Sequence, residues 1–266
     1  MSPKRAPNNR LSNQLSKASS NLSNLSNLSN LSNRLSSLRS SVPVSSRNKG
    51  SFLYGYLSAL AVFLVSLFLI GLWIRIARIA KITGKDVHKS GHPEVPEMGG
   101  IIILPSLIVG LVALYLIDSH YVFQFGFIVL AAGLGWALGL VDDLKELSAL
   151  PKFSLSVIVG LPIFFFVNPF SHPLMVPFLR PVRLPLVYPF LALALIAGTA
   201  NSFNSYDVVN GSTTFSATLI SVSMAAILFL KGELGLATVV AMVAAVSLAL
   251  FMFNAYPARI FIGDTG

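Results

Sequence analysis

The sequence predicts an all-α protein, a polytopic bundle of transmembrane helices. Three observations carry that prediction. Of 266 residues, 54% are hydrophobic and only 11% are charged, against about 25% charged in an ordinary soluble domain. So few charges cannot coat a soluble core of this size. Seven stretches, each long enough to cross the roughly 30 Å hydrocarbon layer with about 20 apolar residues, carry no charge at all. The ionisable residues that remain lie between those stretches, at their ends.

The first 50 residues stand apart. They contain Ser-rich, basic sequence around an Asn-Leu-Ser repeat from Asn21 to Asn33. Leucine every third residue fits neither helical period, so no apolar stripe forms. The segment reads as a disordered basic tail, with a surface-lying membrane segment as the alternative. Asn21, Asn24, Asn27 and Asn30 each begin a formal glycosylation triplet, as a repeat of this kind must. No apolar run follows the start, so no cleavable signal peptide is expected. The tail also accounts for the net charge of +9: it holds 8 of the 19 Lys and Arg and none of the 10 acids. The body is nearly neutral, which argues against a nucleic-acid partner. The absence of cysteine excludes disulfides and thiolate metal sites.

The membrane domain runs from 51 to 266. Its charge-free windows are Gly50–Ile74, Met98–Ile117, Ser119–Val141, Phe153–Leu179, Leu184–Tyr206, Val208–Leu230 and Leu234–Ala258. The fourth is shortened to about Phe153–Val167 by Asn168, Pro169, His172 and Pro173. A charge at a helix centre costs about 2.5–3.5 kcal/mol on insertion scales, so seven clean windows reflect membrane spans. Arg75, Arg78, Lys81, Lys85 and Lys89 follow the first window. Their density places that loop in the cytoplasm and the tail outside. Alternation then puts eight acids on the inner face: Asp86, Glu94, Glu97, Asp142, Asp143, Glu146, Asp207 and Asp264. Only Asp118 and Glu233 fall outside. The positive-inside rule does not sort acids, so another cause gathers them.

Four inner-face motifs can carry chemistry. Asp142-Asp143 closes the third window, and adjacent carboxylates are tolerated where a cation lies between them or one acts as a base. Magnesium takes one or two protein carboxylates together with phosphate oxygens; a solvated helix end is the plain reading. Asn201-Ser-Phe-Asn204-Ser-Tyr-Asp207-Val-Val-Asn210-Gly211 spaces its Asn and Asp three apart, on one face if helical. Such a face suits a sugar, nucleotide or metal, and a capped loop is the alternative. Gly263-Asp264-Thr265-Gly266 allows close backbone approach to phosphate. The loop Gly84–Gly100 mixes bases and prolines and is expected to be ordered by turns rather than helix. His88 and His92 within it read as loop histidines rather than metal ligands.

Taken in order, these motifs resemble the polyprenyl-phosphate N-acetylhexosamine-1-phosphate transferase family, glycosyltransferase family 4. The likeness runs from about Ser51 to Gly266. It rests on Lys85-Asp86…Lys89…Pro96-Glu97-x-Gly99-Gly100, on Asp142-Asp143 with Lys152 beyond, on the Asn201–Gly211 run, and on Asn254…Pro257 through Gly266. The first loop is closest to the archaeal and eukaryotic dolichyl-phosphate GlcNAc-1-phosphotransferase branch. The resemblance implies about ten spans, of which seven are present, so the domain reads as C-terminally incomplete.

The implied reaction moves a sugar-1-phosphate, GlcNAc-1-phosphate by default, from a UDP-sugar to a polyprenyl or dolichyl phosphate and releases UMP. It is the first step of lipid-linked glycan synthesis. The resemblance implies magnesium, with manganese as a substitute, on Asp264 assisted by Asp207. It gives Asp142 and Asp143 the orienting or deprotonation of the lipid phosphate, or a share of the metal. Lys152, Asn201, Asn204, Asn210, Lys85 and Lys89 become substrate-binding candidates. The protein is expected in the cell membrane if prokaryotic, with its active face cytoplasmic; a homodimer is open. Three rivals are a non-catalytic truncated member, a lipid-head-group phosphotransferase of unrelated fold, against which the order of the four motifs argues, and a transporter or channel. A transporter would place ionisable groups near mid-membrane, whereas these lie at span ends.

Overall fold

A computed structural model describes residues 44–85, 93–117, 122–145, 147–162 and 187–266. The expectations for residues 1–43, Asp86, His88, Lys89, His92, Asp118, Glu146 and most of the fourth window lie outside the described residues. Packing divides the chain into two units, Met1–Ser51 and Phe52–Gly266. The helical bundle is the second.

Helix α1 is Val44–Ala80. Its apolar portion, Gly55–Ala80, is 26 residues long. At about 1.5 Å per residue it exceeds the hydrocarbon thickness and carries Arg75 and Arg78 beyond it. The helix stops where Lys81 turns left-handed, at φ 56°. A short antiparallel hairpin follows, β1 Thr83–Lys85 against β2 Glu94–Pro96, with Gly84 opposite Val95. The sequence suggested turns alone here. Three-residue strands are too short to show an alternating pattern.

A single 3-10 turn, Gly99–Ile102, leads into α2, Ile103–Ile117. Then come α3, Val122–Lys145, α4, Ala149–Val159, α5, Val187–Tyr206, α6, Ser212–Leu230, and α7, Leu234–Asn254. Among the described residues five helices are long and apolar enough to cross a membrane: Gly55–Ala80, Gly99–Leu116, Gly126–Lys145, Ser212–Leu230 and Leu234–Asn254. They fill the first, second, third, sixth and seventh windows. Helix α4 begins the fourth but is too short to cross by itself. Helix α5 fills the fifth and ends in the polar turn Asn201–Tyr206. The protein is an integral membrane protein built as a helical bundle.

The core joins α1, α2 and α7 through Val62, Ile70, Leu107, Leu114, Val239, Met242, Val246 and Leu250. Lipid tails are as apolar as leucine, so association rests on close packing rather than on escape from water. Gly110 shows how close. A Cβ there would lie 2.6 Å from Val62 Cγ2 and 2.8 Å from Met242 Sδ. Two buried hydroxyls of α1 are satisfied within the helix, Ser58 on the Gly55 carbonyl at 2.8 Å and Ser66 on that of Val62 at 2.7 Å. That is the inexpensive way to keep serine in a bilayer.

The C-terminal ends of α1, α3, α5 and α7 emerge at the same end of this bundle. Hydrogen bonds and charge contacts among the segments that follow them establish it. Four alternate spans ending together is what the window count requires.

Candidate active site at the helix ends

The third window delivers two carboxylates that the fold treats differently. Asp143 accepts the backbone N–H of Asp264 at 2.7 Å and that of Thr265 at 2.8 Å, and the Thr265 hydroxyl donates to it as well. Both oxygens are thus engaged by the C-terminal loop. Glycine permits the contact on each side. A Cβ on Gly139, one turn earlier in α3, would lie 2.1 Å from the Asp264 carbonyl oxygen. Gly263 adopts φ +73°, and a Cβ there would lie 2.8 Å from Asp143 Oδ1. Asp143 is placed as a clamp. In Asp143→Asn one oxygen becomes an N–H donor facing other donors. Each buried group left unmatched costs about 1–3 kcal/mol. Amide exchange at Asp264 and Thr265 is therefore expected to accelerate by about tenfold or more, with the helices unchanged, as hydrogen exchange would read directly.

Further contacts lock the loop. Phe261 N–H donates to the Pro96 carbonyl, and Gly99 and Gly100 N–H donate to Phe261 and Ile262, each at 2.8 Å. The indole N–H of Trp73 in α1 donates to the Glu97 carbonyl at 3.0 Å, and that of Trp136 in α3 to the Ile101 carbonyl at 3.3 Å. Asn254, fully buried at the end of α7, has three partners. Its Oδ1 accepts Gly211 N–H at 2.9 Å and the Thr214 hydroxyl at 3.3 Å, while its Nδ2 donates to the Ile260 carbonyl at 3.0 Å. One amide ties the start of α6 to the segment that carries Asp264.

Asp142 faces the other way. It is buried, accepts Leu147 N–H at 2.6 Å, and pairs with the Lys152 ammonium from α4. Lys152 also lies 3.3 Å from Asp264 Oδ1. Asn204, from the last turn of α5, donates to that same oxygen. Asn201, one turn earlier, donates to Ser156 of α4 at 3.2 Å and to the Ala197 carbonyl at 2.8 Å, bracing α5 against α4. Three helix ends and the C-terminal loop thus converge on Asp264. Burial pushes the Asp264 carboxyl above its ordinary range, and neighbouring Asp142 pushes the same way against Asn204 and Lys152.

Residues 124–266 match the model of glycosyl transferase family 4, more than half of the sequence. The chain belongs to that family. A Saccharolobus solfataricus protein provisionally named UDP-N-acetylglucosamine–dolichyl-phosphate N-acetylglucosaminephosphotransferase is 30% identical over 197 residues, 73% of this chain and 61% of its own length. The phospho-N-acetylmuramoyl-pentapeptide-transferase of Streptococcus pneumoniae strain 70585 is 27% identical over 222 residues, 79% of this chain and 68% of its own. Its Streptococcus thermophilus namesake is 26% identical over 237 residues, with coverage of 79% and 67%. This family 4 chain therefore spans about three fifths to two thirds of the length of these relatives.

Within the family 4 chain, the structure gathers Asp142, Asp143, Lys152, Asn204 and Asp264 directly. Asp207 lies in the turn after α5, an exposed residue overall; partial desolvation of its carboxyl and, less strongly, the charge of Asp264 hold it above the usual range against the Thr213 hydroxyl. Asn210 precedes Gly211 in the same turn. Lys85 ends β1, exposed on the hairpin, and Lys89 lies outside the described residues. Sequence reasoning passed over Glu97 as a motif letter. Its carboxyl sits against Gly84 and close enough to Asp143 that, after burial, the Asp143 charge raises its own pKa. Asn254 and Thr265 were likewise visible as motif letters, without a signal for what they hold.

Proposed function

We propose that the chain transfers a sugar-1-phosphate from a UDP-sugar to a polyprenyl or dolichyl phosphate, releasing UMP, at the cytoplasmic face of the membrane. GlcNAc-1-phosphate is the proposed group and dolichyl phosphate the proposed acceptor, following the archaeal relative's name. The observation that carries the reading is the convergence of Asp142, Lys152, Asn204 and Asp264 at the helix ends. A lipid phosphate lies at that depth, and a nucleotide arrives there from water.

The donor set suits magnesium. Among the described residues no group of three or more His, Cys, Asp or Glu is arranged to hold a metal ion by itself. A ligand-poor pair, Asp264 with Asp142, is what magnesium uses when substrate phosphates complete its shell. Asp207 would support Asp264. When bound, the ion neutralises charge on the transferring phosphoryl group. The chain's own residues do the rest. Lys152 meets phosphate oxygens as a point charge, and Asn204 and Asn210 contact the nucleotide-sugar. Asp143 holds the loop that carries Asp264. The acceptor oxygen of the lipid phosphate bonds to the phosphorus bearing the sugar, and the bond from that phosphorus to UMP breaks. A phosphate monoester loses its second proton near pH 6, so the acceptor arrives already ionised.

Membranes containing the full protein, given labelled UDP-GlcNAc, dolichyl or polyprenyl phosphate and magnesium, should yield lipid-soluble label. EDTA should cut it about 100-fold or more, since the metal contributes several kcal/mol. The raised carboxyl of Asp264 makes protons competitors for the metal. Because the ligand must be ionised, magnesium affinity should fall as pH drops, at a pH above the ordinary carboxylate range. A well-inserted protein that labels no lipid from any UDP-sugar overturns the reading.

A further inference from the structure

Lys152 has a place in this site that its role toward phosphate leaves unexplained. Its ammonium lies between two carboxylates from distant parts of the chain: Asp142, which ends α3, and Asp264, which lies 121 residues beyond Asp143 on the C-terminal loop. Asp142 has a side chain only 4% exposed, against 34% for Asp264. A carboxylate that enclosed, so near a second one, requires a positive charge beside it. No other Lys or Arg is ion-paired to either group among the described residues. Asp207 adds a further acidic charge felt at Asp264, and Asp143 is already met by three donors.

The same two carboxylates are those a divalent cation would use. One position between them cannot hold both cations. We propose that Lys152 is the resident counter-ion of the Asp142–Asp264 pair, and that a divalent cation takes its place and turns the ammonium outward to meet a phosphate anion. The proposal rests on the transferase reading above and adds an order of events to it. The geometry supplies the reason for the order. While Lys152 is paired with two carboxylates, its charge is spent on them, and an approaching phosphate meets an acidic cluster. After the exchange the cluster has gained a dication, and the lysine's charge is released rather than lost. Lys152 extends from α4 on four rotatable methylenes, so the exchange asks for a change of rotamer and no helix movement. Its side chain is already 21% exposed.

The exchange predicts two measurable effects, neither needing nucleotide or lipid. The first uses the unaltered protein. An amine paired with carboxylates is protected from acylation, and a released one is not. Limited acetylation followed by mass spectrometry should show Lys152 modified several-fold faster with magnesium than with EDTA. Lys231, exposed after α6 at the other end of the bundle, should not change. The second uses Lys152→Met. If the lysine occupies the carboxylates nine-tenths of the time, apparent metal affinity in the wild type is reduced about tenfold. Manganese binding followed by electron paramagnetic resonance should therefore tighten about tenfold in Lys152→Met. Magnesium that leaves Lys152 acylation unchanged or slows it overturns the proposal. So does manganese binding that is absent from both proteins, unchanged or weaker in the variant. Those failures leave the transferase reading standing, because the lipid-label assay tests it separately. Absent lipid label with both effects intact would sink only the transferase reading.

Discussion

Asp264→Asn is expected to abolish turnover while leaving insertion intact. The change removes one of the two carboxylates that face each other across Lys152 and keeps the shape of the side chain. A single carboxylate, Asp142, then remains where the proposed dication would be held, and several kcal/mol of charge stabilisation would be lost. At 1.36 kcal/mol per factor of ten, the rate should fall about 1000-fold or more. Insertion should survive because Asp264 lies beyond α7, in a loop and outside every apolar span. Its backbone N–H still reaches Asp143, so the loop should stay docked. The pair of measurements that decides is lipid-linked label per minute and the thermal transition in detergent. A wild-type rate in Asp264→Asn would remove the residue from the mechanism.

Asn254→Ala should show the opposite profile, a fall in stability that takes activity with it. The truncation takes a partner from the Gly211 N–H, the Thr214 hydroxyl and the Ile260 carbonyl together. The Thr214 hydroxyl retains the Gly211 carbonyl, a partner at the same 3.3 Å, which leaves two groups stranded. At about 1–3 kcal/mol for each buried group, the loss is about 2–6 kcal/mol. The thermal transition should drop by about 4–24 °C. The amides of residues 259–266 should lose exchange protection before those of α6 and α7. An unchanged transition would mean that the loop is held without Asn254.

How much of this was legible in the sequence follows from the range of each signal. Charge-free windows are local and long, so α1, α2, α3, α6 and α7 fell where hydropathy placed them. The parity of those windows then set which helix ends meet. That brought Asp143, Asn204 and Asp264 to one place although 121 and 60 residues separate Asp264's loop from its partners. The different fates of Asp142 and Asp143 were not legible. Two adjacent identical residues differ only in the direction of the Cα–Cβ bond around the helix, about 100° apart, and the direction matters only once a partner is known. Glu97 was hidden for a similar reason. Its neighbours Gly84 and Asp143 come from a hairpin and from another span. The hairpin itself was too short for periodicity to register. Asn254 shows the same limit: an amide at a helix end reads as a cap until Gly211 and Ile260 are placed beside it.

The two indole hydrogen bonds have a practical consequence. The chain contains only two tryptophans, and both donate to the short stretch between Glu97 and Ile101. That stretch is stitched to the segment carrying Asp264. The tryptophan emission of this chain therefore originates beside the loop that carries Asp264. The molecule carries its own optical gauge of the site. Ligand titrations can be followed on the unlabelled protein in a detergent micelle, and Trp73→Phe and Trp136→Phe would assign the signal to one strut or the other.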